Sequence, residues 1–180
     1  MNQIIKNDLY RYIGTYNVKY LLRFIFLTPG FRYIFFMRKC SFAKNSFSKF
    51  LWLFLLRQCS LRCGIQIPYN TKIDKGFRIV HFGHIVINPE AIIGKNFNIS
   101  QGCTIGNSQG KKKGTPIIGD NVFMQPNSVI VGNIKIGNNV LIAPNAFVNF
   151  DVPDNSIVIG NPGTILSKTN PTDKYIVYSI

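Results

Sequence analysis

The sequence predicts a mainly β chain, a parallel β-helix of triangular section behind a basic, aromatic-rich helical segment. Three observations carry this reading. Aliphatic residues return every six positions from residue 65 onward, the positive charge crowds into the first third, and no apolar window is long enough to span a bilayer. A length of 180 residues suits one domain with a short appended segment, and 46% hydrophobic residues can build its core. Global disorder is excluded, because it needs low hydrophobicity.

Residues 1–63 form the helical segment. Residues 9–57 are rich in Leu, Phe, Tyr, Ile and Arg and read as two or three helical stretches broken at Thr28-Pro29-Gly30. Residues 1–64 hold eleven basic side chains and one acid, Asp8, so about +10 of the net +14 lies there. That excess favours an anionic partner. Lys19, Arg23, Arg32 and Arg38 interrupt the first apolar region, and Phe50 to Leu56 is only seven residues long, so a spanning helix is not expected. Two readings stand side by side. The helices lie on an anionic membrane surface, with aromatics in the headgroup boundary and Lys/Arg on phosphates; or they cap the rest of the protein. No nucleic-acid-binding motif accompanies the charge.

The repeat follows. Ile87, Ile93, Ile99 and Ile105, then Ile118, Met124, Ile130, Ile136, Ile142 and Val148 each stand six after the last, except for the thirteen-residue step from 105 to 118. Two positions before each stand mostly small or apolar residues: Ile85, Ala91, Phe97, Cys103, Pro116, Val122, Ser128, Ile134, Val140 and Ala146. Inward residues two apart with a period of six describe short strands joined by tight corners, three to a turn, for about four and a half turns. Asn96, Asn121, Asn138, Asn139 and Asn145 fall at corners, where a left-handed backbone suits asparagine. The long step holds the insertion NSQGKKKGTP, residues 107–116, whose Lys111, Lys112 and Lys113 either meet an anionic group or form a solvated loop tip.

Candidate chemistry centres on the only two histidines, His81 and His84. Counting back six from Ile87 places His81 in the slot that is aliphatic in the later hexads, a local violation of the rule that points to function. A neutral imidazole there can accept a proton from a hydroxyl; its alternative role is structural. His84 falls at an outward or corner position. Cys40, Cys59, Cys63 and Cys103 read as reduced thiols, and no second Cys or His pair completes a zinc site with Cys59 and Cys63.

The run HFGHIVINPEAIIGKNFNISQGCTIG, then GTPIIGDNVFM, GNIKIGNNVLIAPNAFV and DVPDNSIVIGNPG, resembles the hexapeptide-repeat acyltransferases with a left-handed parallel β-helix. It looks most like the serine acetyltransferase-like branch found among bacterial surface-polysaccharide O-acetyltransferases. The resemblance covers residues 64–166 and leaves 167–180 as a tail. It implies acetyl-CoA as co-substrate, a homotrimer, and active sites between neighbouring β-helices, while the reduced thiols and the lack of a metal-binding pattern read as a cytoplasmic protein without a metal. It implies His81 as general base. It also implies a pantetheine path along Pro126, Ala143, Pro144, Gly160 and Asn161, with Lys168 meeting the CoA phosphates.

Three departures from serine acetyltransferases shape the expected acceptor. The acid before the histidine is Val80, the acid that orients the histidine is Gln66, and the second active-site histidine is Thr115. An ammonium-bearing acceptor wants carboxylates nearby. The expectation is therefore O-acetylation of a bacterial surface polysaccharide, capsule or O-antigen, or of its lipid-linked precursor, with Gln66 orienting His81. The alternatives are a small-molecule acetyltransferase, serine O-acetylation included, and a non-catalytic scaffold recruited to the membrane.

Overall fold

A computed structural model describes residues 2–180. Four α-helices come first: α1 (Gln3–Ile13), α2 (Leu21–Leu27), α3 (Pro29–Phe42) and α4 (Ser46–Cys63), with a 3-10 turn at Val18–Tyr20. Their ends follow local chemistry. The Asn2 side chain accepts from the Ile4 N–H, and Asn45 accepts from the Ser48 N–H at 2.7 Å. Gly14 and Gly64 close α1 and α4 in the left-handed conformation. Thr28-Pro29-Gly30 is the start of a helix as well as a break, because Pro29 takes the first position of α3, where no N–H is needed. Gly30 lets α3 lie on the solenoid: a Cβ there would stand 2.9 Å from the Ile79 carbonyl oxygen.

Fifteen short strands follow. They are β1 (Ile65–Gln66), β2 (Lys72–Ile73), β3 (Arg78–Ile79), β4 (Ile85–Ile87), β5 (Ile92–Ile93), β6 (Asn98–Ile99), β7 (Thr104–Gly106) and β8 (Ile117–Ile118). Then come β9 (Phe123–Met124), β10 (Val129–Val131), β11 (Lys135–Ile136), β12 (Val140–Ile142), β13 (Phe147–Val148), β14 (Ser156–Ile159) and β15 (Thr164–Ser167). Every third strand pairs in parallel, giving three sheets ordered β1-β4-β7-β10-β13, β2-β5-β8-β11 and β3-β6-β9-β12-β14. Only β15 is antiparallel, folding back on β14. The result is a parallel β-solenoid of about five turns, slightly longer than the four and a half expected from residues 65–150.

Inward pairs such as Ile65 and Ile67, Phe77 and Ile79, or Ile85 and Ile87 fill one continuous buried column. Asn96, Asn121, Asn139 and Asn155 share one corner with positive φ, and their side chains hydrogen-bond in a ladder from turn to turn. Asn145 also has positive φ, at a different corner, whereas Asn138 does not.

The turns differ in length, and one difference corrects the sequence reading. Ile65 pairs with Ile85, twenty residues on, whereas Ile117 pairs with Lys135, eighteen residues on. The two extra residues lie between β3 and β4. Ile79, eight before Ile87, therefore fills the inward slot, and His81 is an exposed corner residue.

The helices close the open end of the solenoid. Each face of the first turn receives a side chain from them. The Tyr33 hydroxyl donates to the Ile67 carbonyl at 2.8 Å and accepts from its N–H. Arg38 donates to the Ile73 carbonyl at 2.6 Å. The Tyr12 hydroxyl donates to the Ile79 carbonyl at 3.0 Å and accepts from its N–H. These bonds occupy backbone groups that an uncapped edge would present for aggregation. The capping reading of the segment is thus realised. The tail packs on the outer face of the third sheet, with Tyr175 against Phe123 and the Ile180 N–H on Asn96.

Candidate active site

One edge of the solenoid, where the third sheet turns into the first, gathers most of the predicted site. Its corners stack by backbone bonds. The Gly102 N–H donates to Gly83, Asn127 to Gln101, and Asn145 to Pro126, at 2.9–3.0 Å. The Phe147 N–H then donates to the Gly160 carbonyl at 3.0 Å. His81, Pro126, Ala143 with Pro144, and Gly160 with Asn161 therefore lie on successive corners of one edge. With rungs about 4.8 Å apart, Pro126 stands two rungs and Gly160 four rungs along from His81, roughly 10 and 19 Å.

His81 lines a cleft of about 250 Å³ with Leu27, Thr28, Pro29, Gly30, Ile79, Val80 and Phe82. The α2–α3 junction forms one wall and the two-residue corner extension the other. Residues 27–30 and Phe82 were missed by sequence reasoning, because nothing local ties Thr28 to a corner some fifty residues later. Gln101, on the neighbouring rung, was also missed. Its Oε1 is buried without a hydrogen-bond partner, and a Cβ on Gly83 would meet its side chain at 3.9 Å. His84 holds the corner before β4 with φ 51° and is exposed.

Other expected residues lie elsewhere. Gln66 points outward from β1 beside Val86, into a separate groove of about 730 Å³ bounded by Tyr33, Arg57 and Tyr69. No hydrogen bond joins it to His81 among the described residues. Lys168 donates its N–H to the Asn155 carbonyl at 2.9 Å, at the end of β14 away from Gly160.

The loop leaves the edge between the first and second sheets, so within one chain it does not face His81. Ser108 and Gly114 bridge its neck. Lys112 reaches Asp151 at 3.2 Å, and Asp151 also accepts from the Lys135 N–H. These two contacts, the backbone one foremost, hold the Asp151 carboxyl below its ordinary value. Lys111 and Lys113 are exposed, and Thr115 donates to the Glu90 carbonyl at 3.3 Å.

The thiols of this edge and of the helical cap are buried. Burial pushes the Cys40 thiol up to about 11 and the Cys59 thiol to about 12. Cys103, inside the His81 edge, is likewise raised by burial and donates to the Gln125 carbonyl. These groups stay protonated and inert near neutral pH. Among the described residues no group of three His, Cys, Asp or Glu side chains is placed to hold a metal.

An imidazole thus stands at one end of a solenoid edge, with small and proline corners along it. The family described as bacterial transferase hexapeptide (six repeats) matches residues 115–149. A serine acetyltransferase of Staphylococcus epidermidis is 44% identical over 107 residues, 58% of this chain and 50% of that protein. One of Staphylococcus aureus is 42% identical over the same shares. The serine acetyltransferase of Neisseria gonorrhoeae, solved in complex with serine, superposes with a TM-score of 0.70 and 29% identity over 90% of this chain and 67% of that one. Over these shares the chain is similar to serine acetyltransferases, and residues 115–149 carry the hexapeptide repeat. It spans about half the length of the curated relatives it matches.

These likenesses correct the expected acceptor. The relatives are serine acetyltransferases, which favours the small-molecule alternative over a surface polysaccharide. The departures at Val80, Gln66 and Thr115 remove charged groups without adding any feature that selects a sugar. Their inference to a glycan does not hold.

Proposed function

We propose that the protein transfers the acetyl group of acetyl-CoA to the hydroxyl of a small-molecule acceptor, with serine the first acceptor to test. The observation that carries this reading is the common edge. His81 shares it with Pro126, Ala143, Pro144, Gly160 and Asn161, the positions that the family resemblance assigns to the pantetheine arm. His81 takes the proton of the acceptor hydroxyl as its oxygen attacks the thioester carbonyl, and returns a proton to the departing thiolate. The exposed ring is open to an incoming hydroxyl on the cleft side. Pro126, Ala143 and Pro144 offer a narrow corner along which an extended chain can lie. Lys168 sits off that edge and is left out of the assignment.

The working assembly is a homotrimer acting in the cytoplasm. Two features support it: in one chain the first sheet separates the His81 edge from the lysine loop, and the sheet's outer face carries the exposed Val86. In a ring of three copies the loop of one reaches toward the edge of the next, placing Lys111 and Lys113 near the co-substrate. The test is thiol release from acetyl-CoA with and without serine, repeated on His81→Ala. Serine-dependent release that falls with His81→Ala supports the reading. No release with serine or other small hydroxyl compounds refutes it.

A further inference from the structure

We propose that the outer face of α4 docks the protein onto an anionic membrane surface. Helix α4 buries Leu56, Cys59 and Cys63 on the solenoid side. Its opposite side is largely apolar, with Gln58 the one polar side chain within it: Phe47 is 80% exposed, Phe50 71%, Leu51 45%, Phe54 52% and Leu61 70%. At about 100° per residue these five side chains form one stripe about 100° wide. A helix that is apolar on both sides has a second face to cover. Its eighteen residues include no window long and apolar enough to cross a bilayer among the described residues. The stripe therefore suits a helix lying in the interface plane.

Charge decides the occupant. Arg57 and Arg62, both exposed, flank the stripe on either margin, and the exposed Lys44 lies just before the helix. The only acid before Asp74 is Asp8, which is buried against Arg38 and faces inward. A second copy laid face to face would set arginine against arginine, with no carboxylate of that face to meet them. Lipid phosphates meet both arginines while the aromatic stripe enters the headgroup boundary. This inference stands apart from the acetyl-transfer reading, because no residue of the His81 edge takes part in it.

The test is flotation of the full chain with vesicles of phosphatidylcholine alone, or of phosphatidylcholine and phosphatidylglycerol in equal parts. The protein is expected to float strongly with the anionic vesicles and much more weakly with phosphatidylcholine alone. Arg57→Gln with Arg62→Gln should weaken that binding roughly thirtyfold, at about one unit of surface attraction per arginine. Phe50→Ser with Phe54→Ser should remove the part that survives 1 M salt, where the Debye length is about 3 Å. The circular dichroism spectrum and the assembly mass of both variants should match the parent. Failure of the parent to float, or unchanged flotation of both variants, overturns the proposal. So does a drop in assembly mass on serine substitution, which would give the face to a second copy.

Discussion

Replacing Asp8 by alanine tests how the helical segment is held to the solenoid. The Asp8 carboxylate is fully buried, accepts from Arg38 Nε at 2.9 Å, and accepts the N–H groups of Gly76 and Phe77 at 2.9 Å each. Burial pushes its carboxyl up, while the Arg38 charge and those N–H groups pull the other way. Removing it leaves the Arg38 guanidinium buried with only the Ile73 and Asp74 carbonyls, and strands two backbone donors. Breaking one side of a buried pair costs about 3–5 kcal/mol, and each stranded donor adds up to about 1–3 kcal/mol where water cannot reach it. A loss of at least about 5 kcal/mol is the working figure. Asp8→Asn keeps an oxygen for the two N–H groups and loses the charge, so about half that loss is expected. Urea unfolding at fixed protein concentration reads the difference, since assembly contributes to apparent stability. A cycle with Arg38→Leu should show coupling above about 1.5 kcal/mol. A loss under about 1 kcal/mol with no coupling would refute this account of the cap. Because Asp8 grips the corner that leads into β3 and on to His81, the same variant should also lower activity.

His81→Ala should cut acetyl transfer by about two to four orders of magnitude with folding intact, while His84→Ala should do far less; thiol release with each variant checks both. Gly102→Ala should cost about 1–3 kcal/mol in urea unfolding, because Gly102 has φ +73° and a Cβ there would collide with Asn127 on the same edge. Asp151 and Asp154 are held below their ordinary 3.8, chiefly by the backbone N–H groups of Lys135 and Asn138. A depressed carboxyl stabilises above its unfolded value and loses that contribution as pH falls below 3.8. Thermal unfolding of Asp154→Asn should accordingly show less acid sensitivity than the parent. Sedimentation should give a species of three chain masses, and an active monomer would remove the shared-cleft arrangement.

The solenoid was readable because its rule is local. A pair of inward side chains recurs every six residues, and each pair from Ile85 and Ile87 to Ala146 and Val148 is buried as that rule requires. The helical segment was less readable. Its helices are set by caps at Asn2, Pro29 and Asn45 that sequence shows, but their docking rests on Tyr12, Tyr33 and Arg38 bonding strand backbone some thirty to seventy residues away. No periodicity in the chain encodes such pairings. The same limit hid Thr28, Phe82 and Gln101. The acceptor was misjudged for another reason: the loss of carboxylates at Val80 and Gln66 says what is not bound tightly, and specificity is a difference between acceptors.

His81 shows how an expected site residue can be singled out through a faulty register. Counting back six from Ile87 lands on it only because the turn from β3 to β4 carries two extra residues. Had the hexad continued unbroken, the imidazole would sit in the buried column, where burial favours the neutral ring but no acceptor can reach it. The extension turns a core position into an exposed corner, in line with the backbone ladder that runs to Gly160. Residues inserted into a repeat are free of its packing rule, so a solenoid can place a reactive group there without opening its core. The lysine loop is the other such insertion, and it leaves the opposite margin of the same sheet. Two departures from one period thus stand on the two margins of one sheet, each outside the packed column.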